Sequence, residues 1–188
     1  RDIDCGRLST WVNVSKKYWC KRLESLECTR SNGKEYQRRT MQVLIPMAGE
    51  GSRFKNAGYP YPKPLIEVEG KPMIQHVVEN LDNADVTAFI FLVRSSHLEE
   101  YPAISELLSQ VTKGRSRVIY VDEVTEGQAC TALLANNYID SDEPLLIANC
   151  DQIVNYNKTN LDILRTYANP DAVVFTFNSF HPKWSFVK

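Results

Sequence analysis

The sequence predicts an α/β fold of three layers, a mostly parallel sheet with helices on both faces. Three observations predict it. From residue 41 onward, short apolar runs alternate with amphipathic stretches, the order that builds parallel strands joined by helices. Residues 86–93 are an almost unbroken apolar run, as a strand buried on both faces requires. A glycine-rich loop comes directly after the first strand, and such sheets bind ligands outside the carboxyl ends of their strands.

Residues 42–46 read as the first strand and 66–68 as a short one before Gly70. Pro72 stands where helices favour a first proline, opening a helix to about Leu81. After the 86–93 strand come helical segments near 97–101 and 104–111, then a strand at 117–122. Residues 127–138 read as one helix, 144–148 as a strand, 161–167 as a helix and 172–177 as a further strand. The Gly49 loop, the Glu126-Gly127 turn and Asp151 all come just after strands, so one end of the sheet collects them.

Residues 1–40 differ in character. They carry a net charge of +5, whereas the rest of the chain carries −6. Ser15 is placed to cap a helix over 16–28, and Asn32-Gly33 is a turn signal. This arm reads as the tail of an upstream domain or as an extension not needed for catalysis, with 41–188 as the core. Its charge is modest beside nucleic-acid-binding arms, so no nucleic-acid partner is expected. No run of about 18 apolar residues exists, so no membrane span is expected. The first residues are polar and do not form a signal peptide. Five scattered cysteines without a Cys-x-x-Cys pair point to reduced thiols in a cytoplasmic protein, not to a zinc site or a disulfide framework. His76 and His97 lack a partner pattern and read as structural or surface residues.

The stretch from Val43 to Phe54 carries Gly49, Gly51, Ser52 and Arg53, and Lys63 comes next, between Pro62 and Pro64. Glycines let backbone come close to phosphate oxygens, and the N–H groups of such a loop form an anion nest. Arg53 suits a two-pronged phosphate contact and Lys63 a point charge on another phosphate. The Gly-Lys-Ser/Thr ending of a P-loop and the third glycine of a dinucleotide fingerprint are both missing. Asp151, after the apolar run 145–148, suits Mg²⁺, a hard ion that takes oxygen ligands; a turn or cap residue is the plainer reading. Asp122, Glu123 and Gly127 fit a helix start with acids near its positive end.

The ordered string resembles the signature of the sugar-phosphate nucleotidyltransferase family, Gly-x-Gly-(Thr/Ser)-Arg-(Leu/Phe) and then Pro-Lys. The resemblance covers about residues 41–188, the front part of the catalytic domain, and implies a C-terminally truncated core with the Rossmann-like nucleotide-diphospho-sugar transferase fold. It implies transfer of NMP from an NTP to a phosphorylated acceptor, by default a sugar 1-phosphate, with release of pyrophosphate. Ala48, Gly49, Gly51 and Ser52 would cradle the phosphates, Arg53 would steady the leaving pyrophosphate, and Lys63 would sit between the α-phosphate and the acceptor. Asp151 would hold Mg²⁺. Gly127 would lie under the nucleobase, with Asp122 or Glu123 at the base edge. A carboxylate there accepts from the amine of cytosine, which leans the reading toward CTP. Lys183 and Trp184 fall where the family lines its acceptor pocket, and equally fit a strand start with a core tryptophan.

Three other readings stand beside this one. The capsule-locus branch of the family includes cytidylyltransferases acting on small phosphates such as phosphocholine or a phosphorylated amino acid. A non-catalytic nucleotide-binding module would keep the loop without turnover. A metal-dependent glycosyltransferase would show Asp-x-Asp, where this chain has Asn149-Cys150-Asp151. Oligomeric state, including a homo-oligomer, is left open.

Overall fold

The computed structural model describes residues 12–13, 40–83, 85–155, 171–176 and 180. The expected helices over 16–28 and 161–167, the Asn32-Gly33 turn, and Lys183 and Trp184 lie outside the described residues. The chain divides into two compact units, one of residues 38–153 and one of 1–37 with 154–188.

The strands in chain order are β1 (Val12–Asn13), β2 (Met41–Pro46), β3 (Glu67–Val68), β4 (Lys71–Pro72), β5 (Val86–Arg94), β6 (Ser116–Val121), β7 (Leu145–Ile147) and β8 (Val154–Asn155). The helices are α1 (Ser52–Asn56), α2 (Met73–Leu81), α3 (Ser95–Glu100), α4 (Ala103–Val111), α5 (Gln128–Leu133) and α6 (Asn136–Ile139), with a 3₁₀ turn over Lys63–Leu65. In the smaller unit, β1 pairs in parallel with β8.

The unit of residues 38–153 is built on a four-stranded sheet in the order β6-β5-β2-β7, with every neighbouring pair parallel. Val43 stands opposite Phe89 on one side and Leu146 on the other. From β2 the chain moves to β5 and then β6, and only afterwards returns to the far side of β2 for β7. The direction of winding therefore reverses between β2 and β7. Such a switch point opens a crevice at the carboxyl ends of the strands.

Strand composition explains this placement. Val43, Leu44 and Ile45 are fully buried, as are Phe89 to Val93 to within 1 %. Leu44, Ile90 and Leu92 pack with Ala132 and Ala135. Their neighbours of opposite parity, Val43, Ile45, Phe89 and Phe91, are equally buried, so both faces of the central strands are covered. Full burial of each such side chain stabilises by about 1.5–3 kcal/mol. α2 and α4 add Ile74, Val77, Val78, Ile104 and Leu108 to the core.

Local chemistry sets the ends of elements. Between β3 and β4, Glu69 and Gly70 both take positive φ, the two-residue hairpin geometry that matches strand twist. Pro72 then precedes the first turn of α2 with extended ψ, so the helix begins at Met73. The ring nitrogen Nε2 of His76 lies 2.8 Å from the Val68 carbonyl oxygen and ties α2 to this hairpin, the structural role expected of it.

Two sequence expectations are corrected. The single helix over 127–138 is two short helices. The N–H groups of Leu134 and Ala135 bond three residues back, to Thr131 and Ala132, and this tightening carries Ala135 into the core at 0 % exposure. The strand expected at 172–177 is not formed over the described residues 172–176, which belong to no regular element. Apolar β-formers become a strand only through pairing, and Val174 stays 68 % exposed.

Candidate functional site

The site is built from the loops after β2, β6 and β7. The Met47 N–H donates to the Leu92 carbonyl at 3.0 Å, extending the ladder one residue past β2, so the loop proper starts at Ala48. Gly51 lies in the left-handed region at φ 60°, and its carbonyl accepts from the N–H groups of Phe54 and Lys55, starting α1. A Cβ on Gly51 would sit 3.4 Å from the Lys63 Cβ. Glycine is thus needed for backbone shape, and a Cβ here would already touch Lys63, so that a branched side chain would press on it. Replacing Gly51 by valine is expected to cost about 1–3 kcal/mol of stability and to weaken anion binding by displacing Lys63. Urea unfolding curves and pyrophosphate titrations matching those of the unmodified chain would contradict this.

Gly49 and Gly127 differ from Gly51. A Cβ on either meets no protein atom within 4 Å, and neither lies in the left-handed region; Gly127 is fully extended at φ 177°. Nothing within the described part of the protein demands glycine at these positions. Both border a cavity of about 300 Å³ at the switch point, and neither puts a side chain into it.

Lys63 sits between Pro62 and Pro64, whose rings limit the backbone on either side, and Pro64 is buried as an anchor. The ammonium of Lys63 ion-pairs with the Asp151 carboxylate just beyond β7 and lies 5.7 Å from the centre of the Phe54 ring. The two charged side chains are 27 % and 32 % exposed at the cavity wall. Cation and anion, 88 residues apart, meet across the crevice. Ser52 and Arg53 are exposed in the first turn of α1; neither borders the cavity, and among the described residues Arg53 makes no ion pair. Ala48, Gly49, Gly51, Lys63, Gly127 and Asp151 are thus brought together at one cavity.

Asp122 and Glu123 are not brought there. The Asp122 carboxylate accepts the Ser95 hydroxyl at 2.5 Å, Glu123 is exposed, and neither borders the cavity. Besides Lys63 and Asp151, the cavity is bordered by Thr125, Gln128, Thr131 and Asn149, which were given no role in the site from sequence. The Gln128 amide donates to the Asn149 side-chain oxygen at 2.5 Å, and the Asn149 amide donates to the Gln152 oxygen at 2.7 Å. The hydroxyls of Thr125 and Thr131 lie 2.5 Å apart, so one donates to the other, which leaves one proton for the Gly127 carbonyl oxygen that lies 3.1 and 3.2 Å from them. Adjacency was the available signal, since Gln128 is next to Gly127 and Asn149 lies two residues before Asp151. Burial, reinforced by the Asp151 carboxylate, pushes the Cys150 thiol up to about 11. It stays protonated near neutrality and is no nucleophile.

Comparison with known proteins decides the family. The profile of the MobA-like NTP transferase domain matches residues 43–185. The chain belongs to this family. This NTP transferase domain is also similar to mannose-1-phosphate guanyltransferase of Saccharomyces cerevisiae, 30 % identical over 140 residues that make up 72 % of this chain and 38 % of the relative. The bifunctional protein GlmU of Methanococcus maripaludis is 28 % identical over 134 residues, 69 % of this chain and 28 % of the relative. The chain therefore spans less than two fifths of these relatives' length. Among solved structures, the inositol-1-phosphate CTP transferase from T. maritima superposes with a TM-score of 0.52 at 17 % identity, over 62 % of this chain and 45 % of that one. HddC from Yersinia pseudotuberculosis gives 0.53 at 23 % identity, over 66 % and 55 %. These likenesses bear out the expected fold, and the family bears out the resemblance carried by the Gly49 loop and Lys63. Among the described residues, no helix of the NTP transferase domain is long and apolar enough to cross a membrane.

Proposed function

We propose that this protein transfers a nucleotidyl group from a nucleoside triphosphate to a phosphorylated acceptor, a sugar 1-phosphate, and releases pyrophosphate. The observation that carries this reading is the meeting of Lys63 and Asp151 across a cavity bordered by Gly49 and Gly51 of the loop. In the transfer, an oxygen of the acceptor phosphate bonds to the α-phosphorus, and the bond from that phosphorus to the bridging oxygen of the β-phosphate breaks. The leaving group takes the electron pair. An acceptor phosphate is largely ionised near neutrality, with a second pKa of about 6, so no general base is called for. The protein's work is positioning and charge neutralisation. Loop N–H groups from Ala48 to Ser52 would hold the phosphates, Arg53 would swing from its exposed turn onto the leaving pyrophosphate, and Lys63 would neutralise the α-phosphate. Lys183 and Trp184 are proposed for the acceptor side.

Mg²⁺ fits the donor set. Magnesium is commonly held by one or two carboxylates together with substrate phosphates and water. Asp151 supplies one carboxylate at the cavity wall, and the described residues form no cluster of three His, Cys, Asp or Glu. When bound, Mg²⁺ supplies positive charge against the phosphates.

Similarity to a mannose-1-phosphate guanyltransferase favours a sugar 1-phosphate acceptor over phosphocholine. The CTP preference read from Asp122 and Glu123 has less support, because neither carboxylate reaches the cavity. Thermal denaturation of the full chain with each of the four NTPs and Mg²⁺ tests the reading. An NTP at about 100 times its dissociation constant should stabilise by about 2.7 kcal/mol. Pyrophosphate release with mannose 1-phosphate, glucose 1-phosphate or phosphocholine then names the acceptor. No stabilisation by any NTP, together with no pyrophosphate release, overturns the assignment. Equal stabilisation by CTP and UTP would leave base choice to backbone contacts and to Gln128.

A further inference from the structure

Resting on that reading, we propose that Arg94 is a positioning residue for the phosphate loop: it holds Glu50, the loop's own carboxylate, away from the bound triphosphate. Glu50 lies between the two glycines and is the only acidic residue from Met47 to Asn56. A free carboxylate there repels the ligand that the loop is shaped to receive. In the structure, a terminal nitrogen of Arg94 lies 3.9 Å from a Glu50 carboxylate oxygen.

Arg94 is an odd residue at its place. It ends β5, directly after five residues that are essentially fully buried. Its side chain is 25 % exposed, and its Nε is buried without a hydrogen-bond partner. An unpaired buried donor costs stability, so packing alone would favour an apolar side chain here. The Nε side of the guanidinium is turned into the protein, while a terminal nitrogen stands within ion-pair distance of Glu50. Glu50 itself is 60 % exposed, so the pair adds little to folding. Its effect falls on where the carboxylate stands when an anion enters.

The test is a titration of the full chain with magnesium pyrophosphate and with each magnesium NTP. Arg94→Gln is expected to weaken binding by about tenfold, from a freed like charge at the loop. Glu50→Gln should bind at least as tightly as the unmodified chain. The double variant Glu50→Gln/Arg94→Gln should return to the affinity of Glu50→Gln, because the carboxylate to be restrained is gone. Arg94→Lys should bind like the unmodified chain. A double variant as weak as Arg94→Gln overturns the proposal, since Arg94 would then touch phosphate directly or act by packing. Unchanged binding in Arg94→Gln overturns it as well. If Arg94→Gln does not fold, weaker binding by Glu50→Gln overturns it and tighter binding supports it. If the unmodified chain binds neither pyrophosphate nor any NTP, the nucleotidyltransferase reading fails, and this inference with it.

Discussion

Replacing Lys63 by alanine is expected to lower nucleotidyl transfer by about 10²–10³-fold, the range for removing one preorganised group that stabilises transition-state charge. Stability should move by no more than about 1 kcal/mol, because a partly exposed ion pair contributes little to folding. Lys63 and Asp151 are 27 % and 32 % exposed, so water can take over the solvation of Asp151 once the ammonium is gone. The two measurements are steady-state pyrophosphate release and urea unfolding. A drop in stability of about 2–5 kcal/mol, the scale of a core deletion, would make Lys63 a structural residue.

Asp151→Asn is expected to be at least as damaging to magnesium-dependent turnover, by about a hundredfold or more. The amide keeps the shape of the side chain but removes the charge that offsets a divalent ion. It also frees Lys63 from its partner. Affinity for metal-free pyrophosphate should therefore hold or rise, while turnover at low millimolar Mg²⁺ collapses. This split separates a metal ligand from a cap residue, whose loss would appear in unfolding curves and leave turnover in place. Normal turnover by Asp151→Asn would remove Asp151 from the site.

Much of the fold was legible in the chain. The almost unbroken apolar run at 86–93 suited a strand covered on both faces, and β5 is that strand, fully covered from Phe89 to Val93. Pro72 marked the start of α2. The helix over 127–138 was less legible, because pulling Ala135 into the core breaks it into two. That depends on where the sheet lies beneath it, not on helix propensity. The strand expected at 172–177 shows the same limit, since its residues have the propensity and the described ones do not form a strand.

The sequence by itself determined the order of the four strands of the main sheet along the chain, β2, β5, β6 and β7, the loop with Gly49 and Gly51, and the residue types that suit phosphate and metal. These are local properties of pattern and composition, and the family match agrees with them. Only the tertiary structure decided which charges meet. It paired Lys63 with Asp151 and Glu50 with Arg94 and gave Asp122 to Ser95, leaving Asp122 and Glu123 away from the cavity. The reason is the reversal of winding between β2 and β7, which brings Lys63 and Asp151, 88 positions apart, to one crevice. Spacing along a chain does not encode that meeting; the order of strands across the sheet does.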